Sequence, residues 1–169
     1  MELLDIVNED GDIIGAASRM EAHGNNRLLH RVVHVLVFDG TGGLILQKRS
    51  MAKDVAAGKW DTSVGGHVDY GETIEAALLR EMQEELGIIP DRTPEFMYKY
   101  IHRNSYESEL VHTYRYVHKG EVRFNTVEID EVRSWTLAEV ESSLGSGVFS
   151  DNFQDEFRKY LRFRDSARV

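Results

Sequence analysis

The sequence contains no cysteine. Disulfide bonds, thiolate metal sites and cysteine nucleophiles are therefore excluded. A long hydrophobic run is missing as well, because the longest clearly apolar stretch is VVHVLVF at positions 32–38 and it carries a histidine in its middle. A membrane-spanning helix needs about 20 predominantly apolar residues. We therefore expect no membrane span.

Positive charge is scarce: the 20 lysines and arginines are outnumbered by 29 aspartates and glutamates, and the formal net charge is -9. This balance opposes nucleic-acid binding, which depends on basic side chains that neutralise phosphates. An anionic ligand would need local cations or a metal ion. The first residues, MELLDIVNEDGD, are acidic and show neither the basic start nor the cleavage site of a secretory signal. We expect a cytoplasmic protein without a nucleic-acid partner.

A length of 169 residues predicts a single domain over 1–169. Within it, residues 1–30 are predicted to form an N-terminal hairpin, turning at Asp10-Gly11, and a short helix that Ser18 begins. A long loop follows residue 49. Further strands are predicted at His30–Phe38, Leu44–Lys48, Phe96–Ile101, Leu110–Val117 and Val122–Phe124, and helices at Thr73–Leu86, from Thr136 onward, and at Asp151–Phe163. This mixed order predicts an α+β or α/β protein whose helices flank a sheet.

The stretch REMQEE, residues 80–85, places Glu81, Glu84 and Glu85 on neighbouring positions of the predicted helix. Like charges three and four residues apart repel by about 0.2–0.5 kcal/mol per pair. Carboxylate oxygens are hard ligands, so a cluster on one rigid face suits Mg²⁺ or Mn²⁺. On charge alone, however, such a cluster is more often a solvated helix face.

The spacing over residues 66–88 is more specific than the charges. It resembles the Nudix box, G-x5-E-x7-R-E-U-x-E-E-x-G-U, in which U is a bulky aliphatic residue. Seven fixed positions would match by chance on the order of once in ten million. The matching residues are Gly66, Glu72, Arg80, Glu81, Met82, Glu84, Glu85, Gly87 and Ile88.

This resemblance implies an α+β Nudix fold, in which a mixed β-sheet is sandwiched between α-helices. It also implies a MutT-like pyrophosphohydrolase that cleaves the acid anhydride of a small-molecule diphosphate through metal-activated water. In that family Glu81, Glu84 and Glu85 would hold Mg²⁺ or Mn²⁺. Glu72 would stabilise the loop or reach a second metal, and Arg80 would pair with acidic neighbours.

Outside the box, the chain is similar to the isopentenyl diphosphate isomerase branch of the superfamily. That branch places a divalent metal between three histidines and two glutamates. The matching residues here are His23, His30, His67, Glu107 and Glu109. Arg49 and Lys53 fit positions at which that branch contacts the diphosphate. The resemblance therefore implies a second metal site and a basic contact for the substrate.

The similarity to the isomerases fails at one position. Those enzymes carry a cysteine immediately before the Gly-His step, and Gly65 stands there in SVGGH. A glycine side chain cannot donate a proton, so an isomerase would need another acid, such as Glu109 with Tyr106 or Tyr70. We therefore favour a Nudix hydrolase over the alternatives of an isomerase with a non-cysteine acid, a nucleotide-sensing domain without catalysis, or an interaction domain. A homodimer formed through edge strands is left open, and so is the identity of the substrate.

Overall fold

The computed structural model describes residues 2–167, and within them the chain forms nine strands and four helices. The strands are β1 Leu3–Val7, β2 Ile13–Ser18, β3 Leu29–Phe38, β4 Leu44–Arg49, β5 Trp60–Asp61, β6 Val64–His67, β7 Glu95–Arg103, β8 Ser108–Val117 and β9 Ile129–Trp135. The helices are α1 Arg19–Ala22, α2 Ile74–Leu86, α3 Leu137–Ser143 and α4 Asp151–Ser166.

Strand β3 organises the sheet. It pairs in parallel with β8 over its whole length and antiparallel with β1, β4 and β6 at successive points along its other edge. Strand β4 continues the sheet to β5 and β9, while β7 borders β8. The sheet is therefore mixed, and β6 lies beside the middle of β3.

Alternation along β3 divides the core into two layers, because successive side chains of a strand point to opposite faces. Val35 and Val37 are buried with residues of α2, whereas Leu36 and Phe38 are buried with residues of α4. The helical partners are Leu78, Met82 and Leu86 on one face and Phe153, Phe157 and Tyr160 on the other. The predicted α+β class, with a mixed sheet between helices, is confirmed.

The predicted helices and the N-terminal hairpin are confirmed, and side-chain hydroxyl groups begin each helix. Ser18, Thr73, Thr136 and Ser150 accept hydrogen bonds from backbone N–H groups of the first turns. Such caps satisfy N–H groups that have no partner within the helix. Within residues 2–167, none of the helices has the length and apolarity that crossing a bilayer requires.

The prediction of a strand at Val122–Phe124 is wrong. The backbone N–H groups of Arg123 and Asn125 bond to the carbonyls of Leu86 and Glu85. The segment therefore covers the carbonyl end of α2 instead of joining the sheet, and Val122 and Phe124 pack on the α2 side of the core. The apolar pattern is correct, but its partner is a helix end.

Two strands lie inside the segment predicted as a long loop, and β9 was not predicted. Strand β6 consists of Val-Gly-Gly-His, and glycine disfavours a strand by itself. It forms because residues 64–67 pair with residues 32–35 of β3. Long-range pairing has here overridden local preference.

Candidate functional site

Strand β6 separates two clusters of polar side chains. Gly66 faces α2, where a Cβ atom at this position would overlap the carboxylate of Glu81. His67 faces the opposite side, and its ring centroid lies 5.0 Å from that of His30. Because neighbouring residues of a strand point to opposite faces, four residues of β6 border both clusters.

The first cluster, the box cluster, consists of Glu81, Glu84 and Glu85 of α2. The carboxylates of Glu81 and Glu85 lie close enough for each to shift the pKa of the other. Burial and the charge of Glu81 raise the pKa of Glu85 well above its usual value. Burial also raises the pKa of Glu81, although a hydrogen bond from Arg80 opposes this shift. A positive charge near Glu81 and Glu85 would therefore stabilise their ionised forms.

Two neutral donors orient Glu85. The Nε2 of Gln47 lies 2.8 Å from its Oε1, and the backbone N–H of Gly65 donates to its Oε2 at 3.1 Å. Gln47 also bonds to the carbonyl of Ser63 at 3.0 Å, which links the carboxylate to the turn before β6. The position of Glu85 therefore depends on strands β4 and β6 as well as on its own helix.

Arg80 ties the box cluster to the loop before the helix. Its Nε lies 2.9 Å from Glu72, its Nη1 lies 2.7 Å from Glu81 and 3.3 Å from Glu84, and its Nη2 lies 3.0 Å from the carbonyl oxygen of His67. The hydrogen bond from Arg80 lowers the pKa of Glu72. Glu84 keeps 58% of its side chain exposed, so it can reach a ligand in solvent.

The remaining box positions have structural reasons. Glu72 accepts a hydrogen bond from the backbone N–H of Asp69 at 2.9 Å, which closes the loop. Gly87 ends α2 in the left-handed region with φ of 65°, and a Cβ atom there would press on the carbonyl of Arg123. Glycine is the residue that adopts this conformation without strain. The motif thus combines candidate ligands with residues that shape their support.

The second cluster, the imidazole cluster, consists of His23, His30, His67 and Glu107. One donor atom from each residue lies within 4.8 Å of all the others. The Nε2 of His23 is 3.2 Å from the Nε2 of His67 and 3.3 Å from the Oε2 of Glu107. These residues follow α1, lie on β3 and β6, and precede β8, so only folding brings them together.

The electrostatics of the imidazole cluster fit a metal ion. Burial, followed by the neighbouring histidines, lowers the pKa of His30 to about 4 and that of His67 to about 3. Both rings are then neutral at pH 7, the form that coordinates metals. The Nε2 of His30 and the Oε2 of Glu107 are buried without a hydrogen bond to any residue in 2–167. A cation bound among the four donors would satisfy both atoms.

Glu109 adjoins the imidazole cluster but lies outside the group of four. Its Oε2 is 3.8 Å from the Nε2 of His30. Burial, and then the charge of Glu107, raise the pKa of Glu109 to about 7. This carboxyl group therefore exchanges a proton near neutral pH.

The two basic residues predicted to bind substrate are paired with carboxylates. Arg49 lies 3.5 Å from Asp61 and donates to the carbonyl of Val55, and Lys53 lies 3.5 Å from Glu128. Within residues 2–167, neither residue has an ion pair or hydrogen bond to the box cluster or the imidazole cluster. The structure thus places them away from direct contact with both.

Two residues of this region were not predicted from the sequence. His34 lies on β3 four residues after His30 and on the same face of the strand. Its Nδ1 is 2.7 Å from the Oε1 of Glu156 on α4. Glu156 is fully buried. Its position among Phe153, Phe157 and Tyr160 on the apolar face of α4 was a signal in the sequence, because a lone carboxylate on such a face needs a buried partner.

Comparison with known proteins adds to this geometry. The NUDIX domain family matches residues 28–153. An isopentenyl-diphosphate Delta-isomerase of Streptomyces avermitilis is 33% identical over 156 residues, which span 89% of this chain and 79% of that protein. An uncharacterized Nudix hydrolase of Clostridium acetobutylicum is 34% identical over an alignment of 178 positions, which covers 94% of this chain and 84% of that protein.

The fold has a counterpart among solved structures. The crystal structure of the protein DR0079 of Deinococcus radiodurans superimposes with a TM-score of 0.81 and 25% sequence identity. The match covers 94% of this chain and 98% of that one. The similarity therefore includes the N-terminal hairpin and α4 as well as the box.

Proposed function

Because this chain belongs to the NUDIX domain family and has the Nudix fold, we propose that it is a Mg²⁺-dependent hydrolase that cleaves a diphosphate linkage in a small molecule. A nucleoside diphosphate joined to another moiety is the substrate class that the motif favours. Mn²⁺ is a chemically equivalent cofactor for the same oxygen ligands.

The observation that carries this proposal is the pair of neighbouring carboxylates, of which Arg80 holds Glu81 while Gln47 and the backbone N–H of Gly65 hold Glu85. Burial raises the pKa values of both carboxyl groups, and a bound cation would favour their ionised forms. Together with Glu84, they offer the hard oxygen donors that suit Mg²⁺. A bound cation would neutralise the charge of a diphosphate and make water a stronger nucleophile.

Neighbouring residues hold the three glutamates of the box cluster in fixed positions. Arg80 holds Glu81 and Glu84, while Gln47 and the N–H of Gly65 hold Glu85. Gly66 leaves the space that the Glu81 carboxylate occupies. Ligands held in this way do not have to be ordered when the substrate binds, and preorganised charge is the main source of electrostatic catalysis.

The imidazole cluster, with Glu109 beside it, is proposed to hold a second divalent cation. Three imidazoles with a carboxylate suit Mn²⁺ or Zn²⁺ as well as Mg²⁺. The lowered pKa values of His30 and His67 support this proposal, and so does the Nε2 of His30, which has no hydrogen-bond partner within residues 2–167. We keep Arg49 and Lys53 as candidate substrate contacts that would first have to leave Asp61 and Glu128.

The second candidate function is isomerisation of a prenyl diphosphate, supported by the similarity to the Streptomyces avermitilis isomerase. Such a reaction needs a proton donor, and Gly65 supplies none. Glu109, whose pKa is raised to about 7, is the candidate acid. Tyr106 and Tyr70 are predicted to assist Glu109 in donating the proton, but both side chains are about half exposed. Hydrolysis needs no such donor and remains the first candidate.

The test is incubation of the protein with Mg²⁺ and a panel of nucleoside diphosphate sugars, dinucleotide polyphosphates and prenyl diphosphates, followed by ³¹P NMR. Hydrolysis yields new phosphate monoester signals, whereas isomerisation moves the carbon–carbon double bond of the prenyl chain and keeps the diphosphate. Isomerisation without hydrolysis would overturn the first candidate. Binding without turnover would instead identify a nucleotide-sensing domain.

A further inference from the structure

His34 takes part in a buried network on the α4 side of the sheet. Its Nδ1 contacts Glu156 at 2.7 Å, and the same carboxylate accepts hydrogen bonds from Thr113 at 2.9 Å, from Tyr100 at 3.1 Å and from Tyr98. Three hydroxyl groups and one ring nitrogen therefore converge on two oxygens. A carboxylate that accepts this many hydrogen bonds is stabilised in its ionised form.

The charge of this network belongs to an imidazolium and a carboxylate. Burial alone would lower the pKa of His34, but the hydrogen bond and charge of Glu156 raise it above its usual value. Burial alone would raise the pKa of Glu156, but His34 and the hydroxyl groups lower it. The ionisable and charged groups that face His34 are Glu156 on α4, Glu109 on β8, Asp61 on β5, and Tyr98 and Tyr100 on β7.

The other nitrogen of the ring, Nε2, points to the space beside Gly65. His34 and Gly65 are directly opposite in the pairing of β3 with β6. A Cβ atom at Gly65 would lie 3.1 Å from the Cδ2 of His34 and 3.4 Å from its Nε2. Within residues 2–167 this Nε2 makes no hydrogen bond, and 10% of the side chain is exposed. The ring thus presents a free donor to solvent.

The location of this donor connects it with the box cluster. The backbone N–H of Gly65 donates to Glu85, while the ring of His34 covers the other side of the same residue. Arg80, the nearby permanent cation, already uses Nε, Nη1 and Nη2 on Glu72, Glu81 and the carbonyl of His67. His34 therefore offers what Arg80 cannot: positive charge with a donor still available.

We propose that His34 is a substrate-binding residue whose Nε2–H donates a hydrogen bond to an anionic oxygen of the diphosphate-containing substrate, in the space beside Gly65. Glu156 is a positioning residue that fixes the ring through Nδ1. Glycine at position 65 leaves room for the substrate oxygen to approach. The substrate class rests on the proposed function, whereas the donor and its location rest on the geometry of His34.

The first test uses the unmodified protein and methylenediphosphonate, a diphosphate analogue that cannot be hydrolysed. The ring nitrogens of His34 are followed by ¹⁵N NMR during titration with the analogue in the presence of Mg²⁺. We expect the Nε2 resonance to shift strongly and the pKa of His34 to rise on binding, because the anion favours the protonated ring. Binding of the analogue without a response of His34 would overturn the proposal.

The second test uses variants. We expect His34→Gln to weaken binding of the analogue about ten- to a hundredfold, since a hydrogen bond between charged groups is lost. His118→Gln is the matched control, because His118 is half-buried outside both clusters and its side chain bonds to the backbone carbonyl of Glu121. Glu156→Gln should move the pH at which binding fails to a lower value, a change that a purely structural role would not produce.

The outcomes separate this proposal from the proposed function. If the substrate panel is hydrolysed and His34→Gln binds the analogue as well as the unmodified protein does, only the role of His34 is wrong. If no member of the panel is hydrolysed but His34 responds to the analogue, the binding role stands and the hydrolase fails. The NMR titration of the unmodified protein decides the question even if His34→Gln does not fold.

Discussion

The two clusters on either side of β6 differ in what they lack. In the box cluster, burial raises the pKa values of Glu81 and Glu85, and the charge of Glu81 raises that of Glu85 further. In the imidazole cluster, both ring nitrogens of His30 are buried without a hydrogen-bond partner among residues 2–167, and burial lowers the pKa values of His30 and His67. A divalent cation would correct both deficiencies, but for different physical reasons.

The clusters also differ in their construction. The box cluster lies within one and a half turns of α2, and Arg80 from the same helix supports it. The imidazole cluster is assembled from four segments between residues 23 and 107. The first site therefore tolerates changes elsewhere in the sheet, whereas the second depends on the register of β3, β6 and β8. The following predictions test this contrast.

The largest effect is expected for Glu85→Gln, which removes one charge of the box cluster while keeping its shape. Turnover should fall about a thousandfold, comparable to the loss of a preorganised electrostatic group. The melting temperature of the metal-free protein should stay constant or rise, because the repulsion with Glu81 disappears. Glu75→Gln, an exposed position in the first turn of α2, is the control and should retain activity. Wild-type turnover in Glu85→Gln would refute the site.

A smaller effect is expected for His67→Asn in the imidazole cluster. Loss of a direct ligand should weaken one class of Mn²⁺ site by more than about a hundredfold, since even supporting residues of metal sites contribute about ten- to a hundredfold. Isothermal titration calorimetry with Mn²⁺ should resolve two classes of binding site in the unmodified protein. Glu81→Gln should remove one class and His67→Asn the other. Loss of both classes in either variant would show that the clusters form one site.

The two adjacent glycines allow a direct comparison of the two faces of β6. Gly66→Ala should destabilise the protein by about 1–3 kcal/mol and displace Glu81, because the new Cβ atom overlaps its carboxylate. Gly65→Ala meets only the edge of the His34 ring, at 3.1 Å, and should cost less than about 1 kcal/mol. Urea denaturation with activity assays measures both. Equal effects would contradict the placement of the two residues.

The last contrast is expected in the pH dependence of stability without metal. His30 and His67 have folded pKa values of about 4 and 3, below the unfolded value of 6.5, so their contribution is lost as the pH falls below 6.5. Glu85 has a folded pKa above its unfolded value of 4.5, so its contribution is present below pH 4.5 and is lost as the pH rises.

Between pH 4.5 and 6.5, a rise in pH increases the contribution of the two histidines to stability and decreases that of Glu85. Variants separate the two contributions. His67→Asn should reduce the loss of stability on acidification, whereas Glu85→Gln should increase it. The midpoints of urea denaturation at several pH values measure this difference, with Glu75→Gln as the control. A change of the same sign in both variants would mean that the pKa shifts have been assigned to the wrong groups.

Much of the fold could be predicted from local patterns. The helix at Thr73–Leu86 has both an apolar stripe and clear end signals, and the hairpin at Asp10-Gly11 has its turn residues. Strand β6 could not be predicted, because Gly65 and Gly66 carry no strand preference. The segment Val122–Phe124 has a strand-like pattern, but its partner, the end of α2, is distant in sequence.

The sequence by itself determined the box, because its glutamates, Arg80 and its two glycines follow one another at fixed spacing along a loop and a helix. It also determined the absence of a thiol. Only the tertiary structure decided that His23, His30, His67 and Glu107 converge, and that Glu156 holds His34 against Gly65. These contacts depend on the register between strands and on the packing of α4, which are long-range properties that no local pattern records.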